Sequence, residues 1–186
     1  FDMDGTLTVA VHDFEAIKRA LEIPQSDDIL HHLAALPAAE AASKHAWLLA
    51  HERELAEAAQ PAPGAVALVR ELQARDCRLG ILTRNAHALA LLTLQAIGLD
   101  DCFASADVIG RDEAPPKPDP GGLLHLAGQW QVPTQALVMV GDYLFDLECA
   151  RAAGAHGVLV NLPENPWPAL SSGYAEDCAE LLRQLS

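Results

Sequence analysis

Apolar residues recur at helical spacing through the first third of the chain and then gather into short runs. Phe14, Ile17 and Leu21 share one helical face behind Asp13, whose side chain can cap a helix. Ile29, Leu30 and Leu33 form a second set behind Ser26 and Asp27. Trp47, Leu48 and Leu55 belong to a longer third helix, with Pro37 in its first turn. The Pro61-Ala62-Pro63-Gly64 stretch breaks the pattern and reads as a linker. Beyond it the period switches repeatedly. Helices are expected over 64–75, 86–97, 120–130, 144–153 and 175–185, and short apolar strands over 78–83, near Val108, over 136–140 and over 157–160. Strands alternating with helices imply a parallel sheet covered on both faces, a Rossmann-like α/β architecture. The expected organisation is an α/β core of residues 1–9 and 63–186, interrupted after its first strand by a small all-helical cap of residues 10–62.

Composition narrows the function classes. The chain has 186 residues, 51% of them apolar and 20% charged, enough for a sizeable core. No uncharged apolar run is long enough to span a bilayer, so no membrane partner is expected. No basic stretch followed by an apolar one opens the chain, so no signal peptide is expected. Cys77, Cys102, Cys149 and Cys178 are widely spaced, which argues against a zinc site or a disulfide framework. Free, buried thiols in a reducing cytoplasm are the expectation. A formal net charge of −14 disfavours nucleic acid as a partner. It also opposes an anionic substrate unless local cations offset the field.

The candidate chemistry begins at Asp2-Met3-Asp4-Gly5. Residues two apart on a strand point to the same side, so both carboxylates can converge where a strand ends. Gly5 can supply the sharp turn beyond them. Such a pair can hold a hard cation or divide nucleophile and acid/base roles, although a hairpin or an exposed strand end produces the same spacing. In an open parallel sheet, ligands gather beyond the carboxyl ends of the strands. Asp2, Asp4, Thr83 and Asp142 fall at such ends, and Lys117 lies in a loop before a helix, from which it can lean in.

Asp2-x-Asp4-Gly5-Thr6-Leu7 resembles the first signature of the haloacid dehalogenase-like superfamily. Three further segments resemble its other signatures in the right order: Ile81-Leu82-Thr83-Arg84-Asn85, Pro116-Lys117-Pro118, and Val138-Met139-Val140-Gly141-Asp142-Tyr143-Leu144-Phe145-Asp146. The small helical cap is similar to that of the phosphoglycolate phosphatase and β-phosphoglucomutase branch. The family has an apolar strand leading into the first aspartate, yet only Phe1 precedes Asp2 here. A few native residues are therefore expected before Phe1. Were Phe1 the true terminus, a charged amine would lie beside Asp2.

The resemblance implies a Mg²⁺-dependent phosphomonoester hydrolase acting on a small phosphorylated metabolite through an aspartyl-phosphate. Asp2 is the expected nucleophile, with a purely metal-ligating role as its alternative. Asp4 is the expected general acid/base, or else an orienting or capping residue. Family members that dehalogenate carbon lack a carboxylate at the position of Asp4. The Mg²⁺ would be held by Asp2, Asp142 and the backbone carbonyl of Asp4. Asp146, one helical turn beyond Asp142, would bond metal waters or Lys117; its alternative is an ordinary acid in the first turn of a helix. Thr83, the backbone N–H groups of Arg84 and Asn85, and Lys117 would bind the phosphate, and Thr83 could equally be an N-cap. Rival readings are a phosphomutase of the same branch and a non-catalytic binding protein on the same fold.

Five of the eight histidines (His12, His31, His32, His45 and His51) fall in the expected cap without metal-ligand spacing, so helix-face packing is expected for most of them. His12, at the hinge into the cap, is a candidate substrate contact. Among the cap's bases (Lys18, Arg19, Lys44 and Arg53), any could meet a substrate carboxylate. Trp47 and Trp130 are expected to be packing anchors. A cap of this size is compatible with a monomer.

Overall fold

The alternation of side chains along each short strand decides how the body is layered. In the computed structural model, which describes residues 1–11 and 13–185, α4 (Ala65–Ala74) leads to β1 (Ile81–Leu82), and α5 (His87–Ala96) leads to β2 (Val108–Ile109). Next, α6 (Gly121–Trp130) leads to β3 (Val138–Gly141) and α7 (Leu144–Ala153) to β4 (His156–Leu159). β5 (Gly173–Tyr174) and α8 (Cys178–Gln184) follow. Ile81, Val108 and Val140 face one buried cluster with Leu68 and Val69 of α4, Leu94 of α5 and Leu181 of α8. Leu82, Ile109 and Met139, each next to one of those strand residues, face a second cluster with Leu123 and Leu126 of α6 and Cys149 and Ala150 of α7. Both faces of the sheet are thus covered, as near-continuous apolar strands require. Burying such a Leu or Met side chain stabilises the fold by roughly 1.5–3 kcal/mol.

β1 pairs parallel with β2, β3 with β4, and β4 with β5. Phe1 and Asp2 join these two sets. The Phe1 nitrogen donates to the Gly80 carbonyl at 2.8 Å and the Leu82 N–H donates to the Phe1 carbonyl at 2.9 Å. On the other side the Asp2 N–H donates to the Val140 carbonyl at 2.9 Å. The order is therefore β2, β1, Phe1–Asp2, β3, β4, β5. At the opposite end of the strands from Asp2, an apolar cavity of about 540 Å³ lies between Leu79–Gly80 and Val138–Met139, beside Phe1.

The chain leaves the body after Thr8 and returns beside its own exit. Val9 N–H donates to the Gln60 carbonyl and Ala62 N–H to the Leu7 carbonyl, both at 2.9 Å. Between them lie α1 (Phe14–Ala20), α2 (Ile29–Ala35) and α3 (Ala38–Glu57). These helices bury their own cluster of Ile17, Leu21, Ile23, Leu33 and Leu48. No helix among the described residues is long and apolar enough to cross a membrane.

Several local expectations shift. Asp28, not Ser26 or Asp27, caps α2 by accepting from His31 N–H at 3.0 Å, while Asp27 is drawn to the His32 ring at 2.9 Å. The first ladder begins at Ile81 rather than at residue 78, because β2 starts only after a tight 3₁₀ turn over Ser105–Asp107. The final helix starts at Cys178, where Asp177 caps it by accepting from Glu180 N–H at 2.6 Å. Trp47 is 41% exposed and stacks on His51, so it anchors no core. Trp130 packs at the edge of the second cluster and donates its indole N–H to Asp107. Cys149 and Cys178 are buried thiols, Cys102 is half-buried and Cys77 is exposed; all four are free.

Candidate active site

Four loops converge at the carboxyl end of the sheet. Asp2 ends the central row, and the chain then turns through Gly5, which has φ of +82°. A Cβ on Gly5 would come within 2.3 Å of an Asp142 carboxylate oxygen, so only glycine lets the two loops approach this closely. The same holds at Gly141, where a Cβ would meet the Asp146 carboxyl carbon at 2.2 Å.

Lys117 is the hub of the charge arrangement. Its Nζ donates to Asp146 Oδ1 at 2.6 Å and lies 2.7 Å from Asp2 Oδ1. The lysine side chain is 2% exposed and that of Asp146 is 1% exposed, so this pairing is shielded from water. Burial alone would lower the Lys117 pKa, but Asp146 and Asp2 outweigh burial and the net shift is upward. The ammonium therefore stays charged. The Lys117–Pro118 peptide bond is cis.

Asp146 has both oxygens engaged. Oδ1 accepts from Lys117, and Oδ2 accepts from Tyr143 N–H at 3.0 Å as part of the start of α7. Burial pushes its pKa up, Lys117 pulls it back, and Asp2 pushes it up again, for a value of about 6. Asp142, at the end of β3, is pushed up to about 7 by burial and then by the charge of Asp2. Its Oδ1 accepts from the Thr6 hydroxyl at 2.6 Å. Asp2 Oδ1 also accepts from Met3 N–H at 2.7 Å, which fixes the rotation of that carboxylate.

Thr83, buried at the end of β1, accepts from Asn85 N–H at 3.2 Å through its hydroxyl. That N–H is thus spent within its own turn. The Asn85 side chain donates to Asp4 Oδ2 at 2.6 Å. The Arg84 side chain turns away, to Asp28 of the helical segment at 2.5 Å, and lies over the Phe145 ring at 5.2 Å. The structure thus brings together Asp2, Asp4, Asn85, Lys117, Asp142 and Asp146, with Thr83 beside them. His12 lies outside the described residues.

The chemistry of the donor set fits a hard cation. Asp2, Asp142 and Asp146 each place a carboxylate oxygen within 4.8 Å of the others. Three carboxylates stand beside one ammonium; burial first, and then the charge of Asp2, raises Asp142 and Asp146. With both Asp146 oxygens already bonded, Asp2 and Asp142 are the better side-chain donors.

Other contributors escaped sequence reasoning. Asn161, in a left-handed conformation after β4, donates through Nδ2 to the carbonyls of Gly5 and Thr6, each at 2.8 Å. It thereby ties the turn after Asp4 to the far side of the sheet. Only its position just after an apolar strand hinted at a role. Arg111 binds both oxygens of Glu52 on α3, at 2.8 and 2.9 Å.

Comparison with known proteins identifies the family. The haloacid dehalogenase-like hydrolase family matches residues 1–154. A haloacid dehalogenase-like hydrolase domain-containing protein of Arabidopsis thaliana is 32% identical over 173 residues, covering 87% of this chain and 69% of that protein. The phosphoglycolate phosphatase of Rhodospirillum rubrum is 38% identical over 112 residues, covering 60% of this chain and 46% of that enzyme. A hydrolase from Pseudomonas syringae superposes with a TM-score of 0.81 at 24% identity, covering 100% of this chain and 95% of that one. The chain belongs to the haloacid dehalogenase-like hydrolases.

Proposed function

We propose that this hydrolase removes the phosphoryl group from a small phosphorylated metabolite, with Asp2 as nucleophile and the helical segment of residues 10–62 as a cap over the site. The observation that supports this reading most is the buried Lys117 ammonium shared between Asp2 and Asp146. A fixed cation beside a fixed carboxylate is what a nucleophile needs when it must approach an anionic phosphate.

In the first half-reaction Asp2 attacks phosphorus while the bond to the leaving oxygen breaks, and Asp4 delivers its proton to that oxygen. In the second, Asp4 takes a proton from water as the water oxygen attacks the aspartyl-phosphate. Phosphate departs and the Asp2 carboxylate is restored. Splitting the transfer in this way replaces one hard step by two easier ones. Lys117 and the Thr83 hydroxyl hold the phosphoryl oxygens. The backbone N–H of Arg84 adds a donor at the approach to α5.

Members of this family typically use Mg²⁺, and Asp2, Asp142 and the Asp4 carbonyl are the groups that would hold it here. Bound there, it would offset phosphate charge and orient the transferring group. Asp146 would keep Lys117 and the start of α7 in place.

The test is phosphate release from a panel of small phosphomonoesters, with Mg²⁺ and with chelator, for the native protein and Asp2→Asn. Mg²⁺-dependent release that falls by about 10³-fold or more in Asp2→Asn is expected. An Asp2→Asn protein that turns over normally would remove the nucleophile assignment. Isomerisation of a phosphosugar without net phosphate release would replace the phosphatase reading with a phosphomutase.

A further inference from the structure

The side-chain amide of Asn85 meets the site at a point that the phosphate itself does not require. Its Nδ2 donates to Asp4 Oδ2 at 2.6 Å, across 81 positions of sequence. The Asn85 backbone is pinned on both sides. Its N–H donates to the Thr83 hydroxyl at 3.2 Å and its carbonyl accepts from Arg111 N–H at 3.0 Å. Arg111 is fixed in turn by Glu52 of α3, and its Nη1 also reaches the Arg84 carbonyl at 3.5 Å. The arginine and glutamate side chains are only 12% and 10% exposed. A chain of directed contacts therefore runs from the helical segment through Glu52, Arg111 and Asn85 to Asp4.

We infer that Asn85 is a positioning residue for Asp4. Its amide holds Oδ2 and so fixes the plane of the carboxyl group that serves the leaving group in one half-reaction and the attacking water in the next. The inference rests on the phosphatase reading above. A carboxyl group has free rotation about its side-chain bonds, and a proton donor is effective only within hydrogen-bond reach of the atom it serves. A donor held by a pinned backbone, as Asn85 is, restricts that freedom before substrate arrives.

The consequence depends on the leaving group. An aryl oxide such as 4-nitrophenoxide is a stable anion and departs with little help from Asp4. An alkoxide needs the proton as its bond to phosphorus breaks. Misplacing Asp4 therefore penalises the two esters unequally, whereas a lost phosphate contact or a loosened fold penalises them alike.

The experiment compares the native protein with Asn85→Ala and Asn85→Ser on 4-nitrophenyl phosphate and on glycerol phosphate. Alcohol release is read in a single turnover, so that only the first half-reaction is measured. Both variants are expected to slow glycerol release by about 10- to 100-fold, within the range of a general acid's contribution, and 4-nitrophenol release by less than about threefold. Melting temperatures should stay unchanged; should Asn85→Ala fail to fold, Asn85→Ser carries the comparison alone. Equal losses on both esters, or no loss on either, would overturn the inference. Failure of the native protein to release alcohol from either ester, or from the wider panel, is a separate result: it removes the phosphatase reading and the inference with it.

Discussion

The fold treats its carboxylates in opposite ways in two regions. In the helical segment, Glu52 and Asp28 each meet an arginine of their own, Arg111 and Arg84, at 2.8 and 2.5 Å. At the head of the sheet, Asp2, Asp142 and Asp146 share the single ammonium of Lys117 or go without it. One-to-one pairing leaves no charge looking for a partner and serves to hold the segment in place. Unequal pairing leaves a buried anionic field, which destabilises the folded protein until something positive arrives. The difference separates groups that fasten the structure from groups kept ready for chemistry.

The largest effect should come from removing the shared cation. Lys117→Met leaves Asp146 buried beside no counter-charge and, on the proposed function, takes a donor from the phosphate. Phosphate release should fall by about 10³-fold or more, and denaturant melts should show a loss of about 3 kcal/mol. A variant with near-native turnover would show that the unequal pairing is incidental.

Breaking a matched pair should cost less, and the cost should be reversible. Glu52→Leu strands the Arg111 guanidinium and should destabilise by about 2 kcal/mol in urea melts. Adding Arg111→Met should recover most of that, because an apolar pair of similar volume suits a site this shielded. A double variant no better than Glu52→Leu would mean that the pair does more than fasten.

These two regions also differ in how much of them the sequence revealed. Asp2, Asp4, Lys117, Asp142 and Asp146 could be picked out because each lies in a short local segment that resembles a signature of the haloacid dehalogenase-like family; the spacing of the first pair alone would have left a hairpin or an exposed strand end open. The alternation of apolar strands and helices was legible because it too is local. The Glu52–Arg111 pair, the Asn85–Asp4 contact and the Asn161 ties to Gly5 and Thr6 span 59, 81 and up to 156 positions. No local pattern encodes them, since they exist only once the sheet is assembled. β5, two residues long, carries too little periodicity to be recognised. Asp28 was passed over as a cap because Ser26 and Asp27 offered the same chemistry one or two positions earlier.

A subtler consequence follows from the raised carboxylates. Asp142 rises from an ordinary value of 3.8 to about 7 and Asp146 from 3.8 to about 6. Between those limits the folded protein holds protons that the unfolded chain has released. Stability in the absence of divalent cations should therefore fall as pH rises from about 4 to about 7, by on the order of 5 kcal/mol. Urea midpoints at pH 5 and pH 8 with chelator present measure this. Asp142→Asn should shrink the difference; an unchanged difference would place its origin elsewhere in the chain.

The most direct test of the contrast between matched and unmatched charge needs no substrate. Thermal melts are recorded at pH 8 as Mg²⁺ is titrated into the native protein, Asp142→Asn and Glu52→Gln. A binding cation should raise the melting temperature of the native protein and of Glu52→Gln in step with its concentration, and leave Asp142→Asn nearly unmoved. A native protein indifferent to Mg²⁺, or an Asp142→Asn protein that responds as strongly as the native one, would contradict the account.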